Sequence, residues 1–132
     1  MATIKSYTEL SQSKVLAEIL PLESADMWWA WHSSPLSEGH YSDFPMFCKP
    51  ICNPDESVPC WSLASLLGVI PQEIFDGEYI INITEGIDNK WIITYDHREN
   101  RNHSYYGLST GADNLVDACT DIIIKLKERN II

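Results

Sequence analysis

The chain has 132 residues, 45% of them hydrophobic, with five Trp, six Tyr and three Phe. That content excludes a disordered polypeptide and is enough to bury a core in one domain, 1–132. Nineteen acidic against nine basic residues leave a net charge of −10, which repels phosphate backbones and argues against direct DNA or RNA binding.

In chain order, Thr8 is placed to cap a first helix, in which Leu16, Ile19 and Leu20 form one apolar stripe that Pro21 ends. LESADMWWAWHSS follows, with room for one more helical turn, and then an irregular excursion over about 32–60. Five prolines, at 35, 45, 50, 54 and 59, forbid a packed helix there and leave a long ordered loop with short edge strands at most. Ser62 caps a short helix carrying Leu63, Leu66, Leu67 and Ile70, which stops at Gly68 and Pro71. EYIINIT and KWIITYD around EGIDN predict an antiparallel hairpin near 78–96, with HSYYGLS as a third strand. The last helix begins near Asp113 and aligns Leu115, Cys119, Ile122 and Leu126. Its acids lie early and its bases late, as the helix dipole favours. The expected fold is α+β: a small antiparallel sheet of two to three strands packed against the N- and C-terminal helices, with a long Pro-rich loop.

YTELSQSKVLAEILPLESADMWW, VPCWSLASLLGVIP and NLVDACTDIIIKLKERNII, in that order, resemble a family of small uncharacterised proteins of Bacteroides and related gut bacteria, often found on prophages and other mobile elements. The resemblance implies a bacterial cytoplasmic setting and a mobile-element origin. It supplies no activity, cofactor or site residue. The amino terminus has no apolar segment or small-residue cleavage site, and no window approaches the roughly 18–20 apolar residues that span a bilayer. The expectation is a cytoplasmic protein, away from membranes, with reduced thiols.

Chemistry is concentrated in HYSDFPMFCKPICNPDESVPC. Cys48 and Cys52 have a spacing used by zinc sites, and Cys60 with His40 or His32 would complete a ligand set. Pro50 between the thiols and the lack of a second pair weigh for a thiol-bearing loop packed by Phe44, Met46 and Phe47. Cys60 precedes a helix whose N-terminus would lower its pKa, yet no nucleophile signature surrounds it. Cys119, on the apolar face of the last helix, reads as core. Asp96, His97, Glu99 and His103 have a metal-friendly composition in which the Asp would fix a His tautomer, but a hydrated hairpin loop is the favoured reading. Trp28, Trp29, Trp31, His32 and Tyr41 place much ring area beside the irregular loop, as core or as a recognition surface.

Three classes follow. The leading one is a non-enzymatic, acidic accessory or interaction protein with a protein partner, able to pair as a homodimer through a sheet edge. A zinc module on Cys48, Cys52, Cys60 and His40 is the second. An enzyme whose site assembles from distant residues is the third.

Overall fold

The computed structural model describes residues 5–34, 36–51 and 53–132; Pro35 and Cys52 therefore lie outside the described residues. The chain divides into two compact units, one of Tyr7–Ser65 and one of Leu66–Ile132 together with the segment ending at Ser6.

In the amino-terminal unit, α1 spans Leu10–Ala17. Its N-cap is Glu9, whose backbone N–H donates to Gln12 Oε1 at 3.1 Å, a reciprocal cap of the kind that satisfies first-turn donors. The expected cap, Thr8, is fully buried instead. After Pro21 a single 3₁₀ turn, Leu22–Ser24, leads into β1, Met27–Trp29, and then β2, Trp31–Ser34. Two-stranded antiparallel pairings join β2 to β3, Ser37–Tyr41, and β1 to β4, Val58–Cys60. Met27, Trp29 and Cys60 form one buried cluster of this unit, with Tyr7, Leu10, Tyr41 and Val58 packed on it, and Leu16, Leu20, Ala30 and Trp61 are buried as well.

The Pro-rich stretch is thus partly sheet, and side chains explain how. Pro59 lies opposite Trp28 in the β1–β4 pairing, and Trp28 exchanges its backbone hydrogen bonds with Met46 at 2.7 and 2.6 Å, so proline's missing N–H is not needed there. Ser42 Oγ accepts the Ala30 N–H at 3.1 Å, and Ser57 Oγ accepts that of Trp31 at 3.1 Å. Asn53, in a left-handed conformation (φ 52°), donates to the Trp31 carbonyl at 3.3 Å. Short polar side chains stand in for the backbone partners that a proline-interrupted strand lacks.

α2, Leu63–Val69, runs across the boundary between the units. Ser62 caps it as expected, its Oγ accepting the Ser65 N–H at 3.2 Å. Ser62 is itself fixed by Asp26, which accepts its backbone N–H at 2.9 Å and its hydroxyl. Burial raises the Asp26 pKa, but the hydrogen bonds from Ser62 and Ser65 outweigh it and hold the carboxyl below its ordinary value. A carboxylate depressed in the folded state stabilises above its unfolded pKa, and that contribution fades as pH falls through the folded value. Asp26 is exposed, and solvent screens its contacts. Asp26→Asn is therefore expected to cost less than about 1 kcal/mol at neutral pH, with the gap to wild type closing as pH falls below about 4 in urea titrations.

The carboxy-terminal unit is built on a four-stranded antiparallel sheet in the order β5 (Glu73–Ile74), β6 (Tyr79–Glu85), β7 (Trp91–His97) and β8 (Ser104–Ala112). The hairpin 78–96 is present, its turn closed by Gly86 N–H to the Lys90 carbonyl at 2.6 Å, with Asn89 left-handed. α3, Leu115–Glu128, packs on β7 and β8 and buries Val116, Cys119, Ile122, Ile123 and Leu126. Its cap is Asn114, whose Oδ1 accepts the Asp117 N–H at 2.8 Å.

The expected small sheet of two to three strands is corrected by what the described residues form, three α-helices and eight strands in sheets of two, two and four strands. β5 is only two residues long, too short to show a period-2 pattern. β8 extends past HSYYGLS to Ala112, through Gly107 at φ 83° and a register shift opposite Thr94 to Asp96, and glycine and a bulge both blur strand alternation. The terminal helices were expected on one sheet. α1 instead packs on β4 in the amino-terminal unit, while α3 covers β7 and β8 in the other.

Candidate interaction site

The alternation of β1 separates the tryptophans. Trp29 turns inward, 8% exposed, with its Nε1–H donating to Ser13 Oγ at 3.1 Å and its ring edge-on to Tyr7 at 6.0 Å. Trp28 turns the other way and stays half-buried, with Lys49 Nζ 5.3 Å from its ring centre, a cation–π contact. Trp31 and Tyr41 face each other across the β2–β3 pairing, edge-to-face at 4.7 Å, and Gly39 leaves the space that the Trp31 indole fills. His32 and His40 pair on the same hairpin, both exposed, with ring centres 5.8 Å apart. Of the five ring residues singled out in the sequence, Trp29 is core, while Trp28, Trp31, His32 and Tyr41 reach the surface.

His32 also lines a cleft of about 330 Å³ together with Met46, Cys48, Lys49, Pro50 and Ile51. Ile51 of its lining is 96% exposed, and Phe44 and Phe47, close in sequence to its Met46 and Cys48, are 73% and 83% exposed. The sequence reading had Phe44, Met46 and Phe47 packing the thiol loop. Met46 is instead tied by its backbone to Trp28, and both Phe rings project outward. Phe44 and Phe47 flank Pro45 and Met46 in a segment with neither strand nor helical periodicity, so no pattern distinguished inward from outward positions.

The thiols are dispersed. Cys60 is fully buried, its Sγ–H donating to the Thr8 carbonyl at 3.3 Å, and burial raises its pKa despite the hydrogen bonds from Thr8 and Ser13. The helix N-terminus expected to lower that pKa is outweighed by loss of solvent. Burial likewise pushes the Cys119 thiol up to about 12. Cys48 is exposed, and Cys48, Cys60 and Cys119 are not bridged to one another. Among the described residues no three of His, Cys, Asp or Glu are placed to hold a metal ion. A zinc site on Cys48, Cys52 and His40 would therefore need a fourth ligand other than Cys60. Asp96 is turned away from His97 by strand alternation, and its carboxylate accepts from Thr94 at 2.9 Å and Ser104 at 2.7 Å instead of fixing an imidazole.

Charge sharpens the picture. Residues 7–65 contain eight carboxylates against Lys14 and Lys49, a net −6 of the chain's −10. The exposed apolar side chains thus stand in the more acidic unit, with Glu38, Asp43, Asp55 and Glu56 close in sequence. No helix of the described residues is long and apolar enough to cross a membrane. Comparison with protein-family models, with curated proteins and with solved structures finds no match to this chain.

Proposed function

We propose that this is a non-enzymatic interaction protein of the bacterial cytoplasm, which uses the cleft at His32, Met46 and Ile51 and the projecting Phe44 and Phe47 to hold a basic, apolar segment of a partner protein. The observation that carries the reading is the exposure of Phe44, Phe47 and Ile51 in the same chain segment that lines the cleft. Apolar side chains gathered in one place on a surface mark interaction sites, whereas scattered ones do not. The charge selects the occupant. A second copy would set a −6 unit against another −6 unit, while a partner rich in Lys and Arg gains attraction and a faster encounter. The resemblance to proteins of mobile elements supports looking for that partner among host machinery.

The test is a titration with a helical peptide of about 18 residues carrying Leu on one face and Lys on the other, read by emission of the half-exposed Trp28 and Trp31. Binding is expected near micromolar Kd and should weaken with salt. The double substitution Phe44→Ser and Phe47→Ser should weaken it at least about tenfold, since each buried anchor contributes on the order of 1 kcal/mol or more. Unchanged emission at about 100 μM peptide, far above the expected Kd, would sink the proposal, as would equal binding by the double variant. A concentration-dependent dimer that the double variant abolishes would give the patch to a second copy instead.

A further inference from the structure

A second cleft, independent of the interaction surface, belongs to the carboxy-terminal unit. It has a volume of about 380 Å³ and is lined by Glu78, Tyr79, His97, Asn100 and His103, within the size range of small-ligand sites. Strand pairing assembles it: Tyr79 at the start of β6 lies opposite His97 at the end of β7, and His97 N–H donates to the His103 carbonyl at 2.8 Å. The loop between β7 and β8 is fixed from within, by Asn102 N–H to Asn100 Oδ1 at 3.3 Å and His103 N–H to the Asn100 carbonyl at 2.9 Å.

Glu78 is held by an unusual backbone. Phe75, Asp76 and Gly77 take φ of 53°, 56° and 87°, three successive left-handed residues. For Phe and Asp this costs on the order of 1 kcal/mol or more each. Arg98 clamps the turn, donating from Nε to the Gly77 carbonyl at 2.7 Å, from Nη2 to Glu73 at 2.9 Å and from its backbone N–H to the Glu78 carbonyl at 2.8 Å. Over-determined strain of this kind is concentrated at ligand sites.

The polar groups then define what fits. His97 Nδ1 accepts the Glu99 N–H at 3.2 Å, so the neutral ring carries its proton on Nε2. That nitrogen lies 3.6 Å from Glu78 Oε1, too far for a direct hydrogen bond and close enough for one hydroxyl seated beside the pair, not between them, to contact both. A hydroxyl there accepts from the imidazole and donates to the carboxylate. Asn100, whose Oδ1 accepts from the Asn102 N–H, lines the same cleft and brings an amide able to donate. Tyr79 backs the cleft, its ring centre 5.4 Å from that of His97 and 6.3 Å from that of His103. An anion meets the Glu78 carboxylate; a cation meets the His97 and Asn100 donors. A metal finds no three-ligand set among the described residues.

The geometry points to a binding site for a neutral polyhydroxylated ligand, such as a monosaccharide, gripped through a hydroxyl bridging His97 and Glu78 in front of Tyr79. The probes are D-glucose, D-galactose and N-acetyl-D-glucosamine, titrated singly while the imidazole resonances of His97 and His103 are followed by NMR. At least one sugar should shift both histidines and saturate with Kd of about 1–10 mM, the range for a ligand of about a dozen non-hydrogen atoms. Glu78→Gln should weaken that sugar about tenfold, because a carboxylate acceptor is replaced by a neutral amide. If that variant does not fold, His103→Gln at the exposed rim of the cleft substitutes for it with the same expected loss. No shift from any of the three sugars at about 50 mM, well above that Kd range, would overturn the assignment, as would wild-type affinity in a folded variant. Shifts produced by Zn²⁺ or inorganic phosphate but by none of the sugars would overturn it too.

Discussion

Trp61→Ala should destabilise the protein by about 3–5 kcal/mol, the range for removing a fully buried aromatic ring, measured as a shift of the urea midpoint at constant m-value. Trp61 has no exposed surface, and its Nε1–H donates to Ser24 Oγ at 3.0 Å. Its backbone is bound twice to Thr8, by its carbonyl accepting the Thr8 N–H at 2.9 Å and by its N–H donating to Thr8 Oγ1 at 3.2 Å. The substitution therefore empties a large volume and removes the indole donor from Ser24 Oγ, which keeps its bond to the Pro21 carbonyl. The two bonds to Thr8 resist collapse of the backbone around the hole. Phe44→Ala and Phe47→Ala should each stay within about 0.5 kcal/mol of wild type, since an exposed ring stabilises little. The contrast separates ring area that holds the fold from ring area left for a partner. A loss at Phe47 as large as that at Trp61 would show the loop to be core and remove the interaction surface.

Local patterns were the legible part of this molecule. The β6–β7 hairpin could be read from its β-branched and aromatic runs, and α3 from the spacing of Cys119, Ile122 and Leu126. Ser62 was legible as a cap because a serine before a leucine repeat has one good use. What stayed hidden depends on contacts distant in the chain. Thr8 looks like a helix cap from its neighbours, and only Trp61, fifty-three residues on, makes it a buried hub. The ordering of the Pro-rich stretch rests on Ser42, Ser57 and Asn53 reaching back to Ala30 and Trp31, and isolated serines carry no periodic signal. His97 and His103 were noticed by composition. Tyr79, which opens the neighbouring strand, and Glu78 just before it complete their cleft and could not be joined to them without the sheet register. The left-handed turn at 75–77 was invisible for a further reason: a bulky residue such as Phe75 is one that backbone preference keeps out of that conformation.

Thr8→Val should cost about 2 kcal/mol although it conserves shape, because it strips a buried donor of its acceptor. Thr8 Oγ1 accepts the Trp61 N–H and lies 2.7 Å from Ser13 Oγ, which in turn accepts the Trp29 indole N–H at 3.1 Å. All of these groups are buried, so water does not replace a lost partner. Ser13→Ala should cost a similar amount by leaving the Trp29 Nε1–H unpaired. If the two hydroxyls act as one chain, the double variant should be about 1 kcal/mol less destabilised than the sum of the singles, since either substitution already breaks the bond between them. Strict additivity would mean that Thr8 and Ser13 serve Trp61 and Trp29 separately. Coupling matters for the surface as well. Trp29 and Trp28 are adjacent on β1, so the hydrogen bond that seats Trp29 in the core also fixes the strand that presents Trp28 outward. Thr8→Val, in protein that still folds, should therefore broaden the NMR signals of Trp28 along with those of Trp29, linking the buried hydroxyl pair to the face proposed for the partner.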